Sequence, residues 1–371
     1  MTASLPPWAC HLRPEVAAMD HYTAPYMPAP VARLHANECP YPWPDAVYSA
    51  IDAAIRRVEL NRYPQISGEV VRRLVANEYG CDPDQVVLGN GSDEIISLLL
   101  MALAGTHHKP SHIVTPAPTF VMYRHSAQVQ GIGVEEVPLT RNFELDPSAM
   151  DAALARGPAL CFFARPNNPT SSLWSAEIID DLMARYPATV FVIDEAYGAY
   201  APGTSMWSTE PRPNHLQMGT LSKVGMAALR LGYCIAHPRL ACALNVVRHP
   251  YNISQTSLAI AETILTQFGE VQADMIRRTI AGRDRLAALL ATLPGAEVMP
   301  AFANFVVARF AQPGAATRLQ NLLRERGILV KDLSRYPGLA DCLRVSGGTP
   351  PELDLFERAL REFPTAAWSE S

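Results

Sequence analysis

The sequence predicts an α/β chain with a doubly wound, mostly parallel sheet and a smaller α+β domain after it. Two observations carry the first half. Short apolar runs, such as 159–164 and 189–193, alternate with amphipathic stretches of helical period. Several of these runs are apolar throughout, as expected of strands covered on both faces rather than one. The second half differs: beyond Pro250 come two long helical stretches, then short strands and a last helix.

In chain order, residues 1–30 carry six prolines and several aromatic residues without a sustained period, and read as an arm anchored by Tyr22 and Tyr26. A disordered tail is the alternative. Residues 34–44 form a loop stiffened by Pro40, Pro42 and Pro44, followed by a helix over about 44–57 and the polar turn 60–64. The alternation then runs helix 70–79, strand 85–88, helix from the Gly89–Glu94 turn to about 104, strand 112–116 and helix 119–130. Strand 134–139, helix 147–156, strand 159–164, helix 175–186 and strand 189–193 follow. Strands near 216–220 and 232–236 bracket a loop holding Lys223. Helices 257–268 and 273–293, strands 305–308, 328–331 and 342–345, and helix 351–362 complete the chain. The expected division is an arm at 1–30, a large domain at 31–245 and a small domain at 246–371.

Composition narrows the function classes. The chain has 371 residues, 49% hydrophobic and 18% charged, enough to bury a sizeable core. A formal net charge of −5 argues against tracking a nucleic-acid backbone. Seven scattered cysteines with no C-x-x-C pair read as reduced thiols, and the opening residues lack a basic segment followed by an apolar one, so a cytoplasmic location without a secretion signal is expected. The longest apolar run, 95–104, is too short to span a bilayer, so no membrane partner is expected. His107, His108 and His112 invite a metal reading, but no carboxylate stands beside them and none is expected to be a ligand.

In doubly wound sheets ligands bind at the carboxyl ends of strands, and four polar constellations sit there. Gly89-Asn-Gly-Ser-Asp93 joins a strand to a helix start, where free N–H groups favour an anion; a turn capped by Ser92 or Asp93 fits equally. Arg165-Pro-Asn-Asn-Pro-Thr170 uses prolines to aim Asn168, as a purely structural turn also would. Asp194-Glu-Ala-Tyr197 ends a buried strand, where an acid needs a cation or donors: either a salt bridge within the fold or a protonated heterocycle. Ser222-Lys223, with Arg230 beyond, lies among glycines and small apolar residues that leave the amine less solvated and fit it to act as a nucleophile; a snorkelling loop lysine is the other reading.

Taken together, these residues make the chain similar to fold-type-I pyridoxal-phosphate aminotransferases, and more narrowly to the histidinol-phosphate aminotransferase family. The narrowing features are Ala36-Asn-Glu38, Asn61-Arg-Tyr-Pro64, Gly89-Asn-Gly-Ser-Asp-Glu94, Pro166-Asn-Asn-Pro-Thr170, Asp194-Glu-Ala-Tyr197, Thr220-Leu-Ser-Lys223, Pro250-Tyr-Asn252, Ala303-Asn-Phe305 and Leu343-Arg-Val345, and the resemblance covers about 15–362.

The resemblance implies that Lys223 carries pyridoxal 5′-phosphate covalently and later moves the proton on the substrate. It implies that Asp194 keeps the cofactor's ring nitrogen protonated, that Asn168 and Tyr197 bind its 3-oxygen, and that Phe120 stacks on the ring. The backbone at Gly91, Ser92 and Asp93, with Ser222 and Arg230, would hold the phosphate. Tyr63 matches a residue that reaches the neighbouring subunit's cofactor, which implies a homodimer with shared sites. Arg344 matches the arginine that grips a substrate carboxylate, Lys331 takes the place of a second arginine, and Tyr22 matches an arm residue closing over the substrate. The implied substrates are small molecules, an amino donor and a 2-oxo acid: L-histidinol phosphate and 2-oxoglutarate. An aromatic amino-acid aminotransferase or a threonine-phosphate decarboxylase would share nearly every cofactor residue. A regulator built on the same fold would need an added DNA-binding domain, for which no room is expected before residue 31 or after 362.

Three departures from the family pattern stand out. Ser171 replaces a glycine, so the backbone there is expected to avoid positive φ. Cys39 replaces an asparagine, and the extra glycine in Val345-Ser-Gly-Gly348 suggests a looser turn after Arg344.

Overall fold

A computed structural model describes residues 11–19, 27, 29–106 and 109–361. Seven strands form its main sheet: β1 (Val86–Asn90), β2 (His112–Ala117), β3 (Gly133–Pro138), β4 (Leu160–Ala164), β5 (Val190–Asp194), β6 (His215–Thr220) and β7 (Leu231–Ile235). Their order across the sheet is β1-β7-β6-β5-β4-β2-β3. The pairs among β2 to β6 are parallel, and β7 alone runs against its neighbours β1 and β6. The sheet is therefore the mostly parallel one expected, and its parallel strands end on one edge.

Helices cover both faces, which explains the uninterrupted apolar runs. They are α1 (Asp45–Ile55), α2 (Glu69–Tyr79), α3 (Ser92–Leu103), α4 (Val121–Val129), α5 (Pro147–Leu154), α6 (Ala176–Arg185), α7 (Pro238–Val247) and α8 (Gln255–Gln267), and after them come α9 (Gly269–Ala291), α10 (Ala315–Glu325) and α11 (Pro350–Arg361). Strand β4 shows the period of two: Leu160 and Phe162 pack with residues of α3, α4 and α7 on one face. Cys161 and Phe163 pack with Met150 of α5 and Leu182 of α6 on the other. Local signals set the helix starts. The Asp146 side chain accepts from the N–H groups of Ser148 and Ala149 ahead of Pro147, and the Ser175 hydroxyl accepts from Ile178 N.

A second, antiparallel sheet contains β8 (Ala296–Val298), β9 (Phe305–Phe310), β10 (Lys331–Asp332) and β11 (Cys342–Ser346), in the order β8-β9-β11-β10. It packs on α9 through Leu286 and Leu290, on α10 through Leu319 and Leu323, and on α11 through Phe356. Ala32–Arg33 pairs in parallel with Ile328–Leu329, so the chain just before the Ala36-Asn-Glu38 motif is stitched to this second lobe.

Among the labelled elements, the sequence reading lacks α7, α10 and β8. Helix α7 buries only Ala241 and Leu244, too few apolar positions to announce a period. Helix α10 buries Ala315, Ala316, Leu319 and Leu323 between Gly314 and Gly327, a pattern that was legible. The run 328–331 is not one strand: it pairs with Ala32–Arg33 first and with β11 from Lys331. Among the described residues no helix is long and apolar enough to cross a membrane.

Candidate active site

A cavity of about 320 Å³ opens where the parallel strands end, roofed by β10, β11 and the loop between them. Ser92, Asp93, Phe120, Asn168, Asp194, Tyr197, Ser222, Lys223, Arg230, Lys331 and Arg344 all line it. Residues from seven segments of the sequence thus meet because each follows, or faces, the same sheet edge.

Lys223 ends a tight turn, Leu221–Lys223, directly after β6. The Thr220 hydroxyl shapes that turn by accepting from Ser222 N at 3.1 Å and donating to Leu231 O at 3.1 Å. The Tyr200 hydroxyl donates to Lys223 O at 2.6 Å, pinning the backbone beneath the amine. The Lys223 Nζ stands 5.6 Å from the centre of the Tyr197 ring.

Asp194 is the last residue of β5 and is buried. Its Oδ2 accepts from the Tyr123 hydroxyl at 2.5 Å and its Oδ1 from Ala196 N at 3.0 Å. Burial pushes its carboxyl up to about 6, while the two donors act in the opposite direction. Tyr123, stacked on Phe162 with ring centres 4.6 Å apart, is fully buried, and burial first, then the neighbouring Asp194, lifts its phenol well above the usual range. Both donors are neutral, so this carboxylate lacks the partner that would make its ionised form cheap there.

A polar network joins the two lobes over the cavity. Asn37 Nδ2 donates to the Tyr197 hydroxyl at 3.0 Å, and Asn37 N donates to the Ser346 hydroxyl at 2.9 Å. Asn304 Nδ2 donates to Asn37 O at 3.0 Å. Arg344 uses its fork: Nη1 donates to Asn168 Oδ1 at 2.6 Å and Nη2 to His35 O at 2.8 Å. Its guanidinium also lies 5.3 Å from the Phe305 ring centre. Asn37 adopts φ 55, a left-handed conformation that asparagine tolerates better than most residues.

An anion cradle lies at the start of α3. Gly91 has φ 78, and a Cβ built there would sit 2.7 Å from Arg230 Nη2. A Cβ on Gly232 would sit 2.4 Å from Ser92 N. Both positions need glycine, Gly91 for its backbone angle and Gly232 for the close approach of the backbone at 91–92. Arg230 pairs with Asp93 at 3.0 Å, a half-exposed contact that holds little energy. The Ser222 hydroxyl is buried with no hydrogen-bond partner among the described residues, beside a helix start whose first N–H groups have no acceptor within the helix.

Phe120 precedes α4 and meets Tyr123 edge-on at 5.5 Å between ring centres. Tyr63 is not brought to this cavity: it is 82% exposed and stacked on Tyr251 at 4.7 Å. Tyr22 lies outside the described residues, as do His107 and His108.

Two expectations are corrected. Ser171 does adopt positive φ, at 63. Its hydroxyl holds it there, accepting from Phe302 N at 3.0 Å and Ala303 N at 2.9 Å and donating to Phe305 O at 3.1 Å. Three bonds from the serine oxygen offset the left-handed penalty that glycine would have avoided. The turn after Arg344 is buried, not loose: Gly347 N donates to Asn304 O at 2.7 Å. A Cβ on Gly348 would meet Leu34 at 2.7 Å.

Sequence reasoning missed Asn37, Tyr123, Tyr200, His35 and Tyr336 around the cavity. Asn37 had a signal, since Ala36-Asn-Glu38 was among the motifs quoted. Tyr123 and Tyr200 had none, because only the packing of α4 and of the turn after Tyr197 aims their hydroxyls inward.

Residues 29–360 match the family model described as aminotransferase class I and II. Histidinol-phosphate aminotransferase 2 of Nitrosococcus oceani is 38% identical, over 94% of this chain and 96% of its own. Histidinol-phosphate aminotransferase of Aquifex aeolicus is 35% identical, over 94% and 96% respectively. Among solved structures, histidinol-phosphate aminotransferase of Sinorhizobium meliloti in complex with pyridoxal-5′-phosphate superposes with a TM-score of 0.84, covering 95% of this chain and 97% of that one, at 23% identity, a likeness of fold.

Proposed function

The chain belongs to the class I and II aminotransferases and, within them, to the histidinol-phosphate aminotransferase family, and on that premise we propose that it transfers an amino group between L-histidinol phosphate and 2-oxoglutarate, yielding imidazole acetol phosphate and L-glutamate. Its cofactor is pyridoxal 5′-phosphate. The single observation that carries the reading is the convergence of Lys223, Asp194, Asn168, Tyr197 and the α3 anion cradle on one cavity.

The residues present fit that cofactor. The orphaned Ser222 hydroxyl, the bare Gly91 backbone and Arg230 suit a phosphate dianion. Asp194, buried with neutral donors only, gains most from a cationic heterocycle opposite it, and Phe120 lines the same cavity as an aromatic side chain for such a ring to stack on. When bound, the cofactor supplies an electron sink for the carbon that loses its proton.

We assign the remaining work to side chains. Lys223 Nζ would be the amine that holds the cofactor and, once free, the general acid and base that takes and returns the substrate's proton. The Tyr200 bond to Lys223 O and the Thr220 turn keep that amine within reach of one face of the site. Asp194 keeps the ring nitrogen protonated, with Tyr123 and Ala196 N fixing the carboxylate's orientation. Tyr197 and Asn168 would hold the ring's oxygen, and each is itself held by a neighbour, Tyr197 by Asn37 and Asn168 by Arg344. Arg344 would take the carboxylate next to the reacting carbon of glutamate or, in histidinol phosphate, the phosphate that stands in its place, and Lys331 the second carboxylate of glutamate or a further oxygen of the same phosphate.

We further propose a cytoplasmic homodimer in which Tyr63 reaches the partner's site. The exposure of Leu60, Tyr63 and Ile66 on one loop supports it, and sedimentation at micromolar concentration tests it. We also propose the division into arm, large domain (31–245) and small domain (246–371). The main sheet lies wholly within 86–235 and the antiparallel sheet within 296–346, although Ala32–Arg33 joins the latter lobe.

The test of the reaction is a half-reaction screen of the cofactor-loaded protein with histidinol phosphate, phenylalanine, tyrosine and threonine phosphate, read by the change in cofactor absorbance. Histidinol phosphate should react fastest and regenerate with 2-oxoglutarate. Preference for phenylalanine or tyrosine would make the chain an aromatic aminotransferase, and carbon dioxide release from threonine phosphate a decarboxylase.

A further inference from the structure

The wall of the cavity opposite the sheet is built by the loop from Leu333 to Asp341, which none of the roles above uses. The loop is closed at its base by Leu333 N donating to Cys342 O at 2.9 Å. Inside it, turns stack one on another: Tyr336 N donates to Leu333 O at 2.9 Å, Leu339 N to Tyr336 O at 3.1 Å, and Cys342 N to Leu339 O at 3.1 Å. Asp332 braces the entry, accepting from Ser334 N at 2.8 Å and the Ser334 hydroxyl at 2.6 Å through Oδ1, and from the Thr317 hydroxyl at 2.6 Å through Oδ2. Leu333 and Leu339 are buried beneath, so the loop has its own apolar footing.

Tyr336 stands on this frame. Its ring lines the cavity, is 39% exposed, and lies 5.7 Å from Lys331 Nζ. Its hydroxyl has no protein partner among the described residues. A large ring held by backbone turns, without a hydrogen bond and half open, has a face left to offer a ligand. Leu333 and Leu339 make the neighbouring lining apolar, while Lys331 supplies the cation next to it.

We propose that Tyr336 is a specificity-determining residue: its ring is the surface on which a ring-bearing amino donor packs beside Lys331, favouring such donors over glutamate. This rests on the transaminase reading above. Glutamate and histidinol phosphate both present an anion, but only the latter carries a flat ring between its reacting carbon and the rest of the cavity. Aromatic pairing adds about 0.5–1.5 kcal/mol beyond buried area, or about two- to tenfold in affinity.

The test measures the apparent dissociation constant and the limiting rate of each half-reaction for wild type, Tyr336→Phe and Tyr336→Leu, with histidinol phosphate, phenylalanine and glutamate. In Tyr336→Leu the preference for the ring-bearing donor over glutamate should fall about two- to tenfold, the change lying in the dissociation constant and not in the limiting rate. Tyr336→Phe should keep the wild-type preference, since the hydroxyl is not used. If Tyr336 only steadied the Lys331 ammonium, both anionic substrates would weaken together and their ratio would stay put, which overturns the proposal. A wild type that converts phenylalanine but not histidinol phosphate, with the phenylalanine preference lost in Tyr336→Leu, would remove the assigned donor and leave the role of Tyr336 standing. Conversion of histidinol phosphate with an unmoved preference would do the reverse.

Discussion

Lys331 and Arg344 are directly opposed residues on the neighbouring antiparallel strands β10 and β11, and both line the same cavity. Residues opposite one another in such a pair lie on one face of the sheet, so two cations stand side by side. Like charges so placed repel, a cost repaid when anions are bound. Their roles differ by geometry. Arg344 is fixed by Asn168 and His35, whereas Lys331 is a point charge beside a tyrosine ring.

Arg344→Ala should therefore weaken histidinol phosphate and glutamate alike, by roughly ten- to hundredfold in kcat/KM, the size of a charged hydrogen-bond loss. Lys331→Met should weaken both doubly anionic substrates while changing phenylalanine far less. Half-reaction kinetics on the three substrates decide this, and an Arg344→Ala effect confined to glutamate would refute a shared anion site.

Lys223→Ala should abolish covalent fixation of the cofactor by borohydride while leaving the fold intact. Mass spectrometry of the reduced protein reads this directly. A variant that still gains the cofactor's mass would move the covalent role to another amine.

Asp194 should show opposite signs with and without cofactor. In the cofactor-free protein its carboxyl sits near 6 rather than 3.8, so the folded state binds the extra proton between those values. Stability then falls as pH rises from about 4 to about 6, by on the order of 3 kcal/mol, and stays lower above. Thermal unfolding of cofactor-free Asp194→Asn should lack this step, while cofactor dissociation from the variant should be faster. Identical pH profiles for variant and wild type would show that burial does not perturb this group.

Ser171→Ala should cost about 2 kcal/mol in urea unfolding, because it removes the bonds to Phe302 N, Ala303 N and Phe305 O and keeps the left-handed backbone. Ser171→Gly should cost less, since about 1 kcal/mol of backbone penalty is relieved. Equal losses would mean that the backbone at this position is not strained.

Much of the site was legible because its residues follow strand ends. Asp194, Asn168, Ser222 and Lys223 each come just after an apolar run, and the sheet edge did the rest. Tyr123 was not legible. It reads as one more apolar-face residue of α4, and only the seating of that helix against β4 puts its hydroxyl on Asp194. Ser171 misled for a related reason: its backbone angle is set by bonds to residues 302–305, more than a hundred positions away.

By itself the sequence determined the parallel sheet, the family, the polar residues at the strand ends that line the cavity and the pair of cations in the second lobe. These rest on periodicity and on residues whose place follows from the element before them. The tertiary structure alone decided how the lobes meet: Asn37 between Tyr197 and Ser346, Arg344 on Asn168, Lys331 beside Arg344, and Tyr336 over Lys331. Such contacts join segments far apart in the chain, and their distances are fixed by packing of two cores that no local pattern encodes.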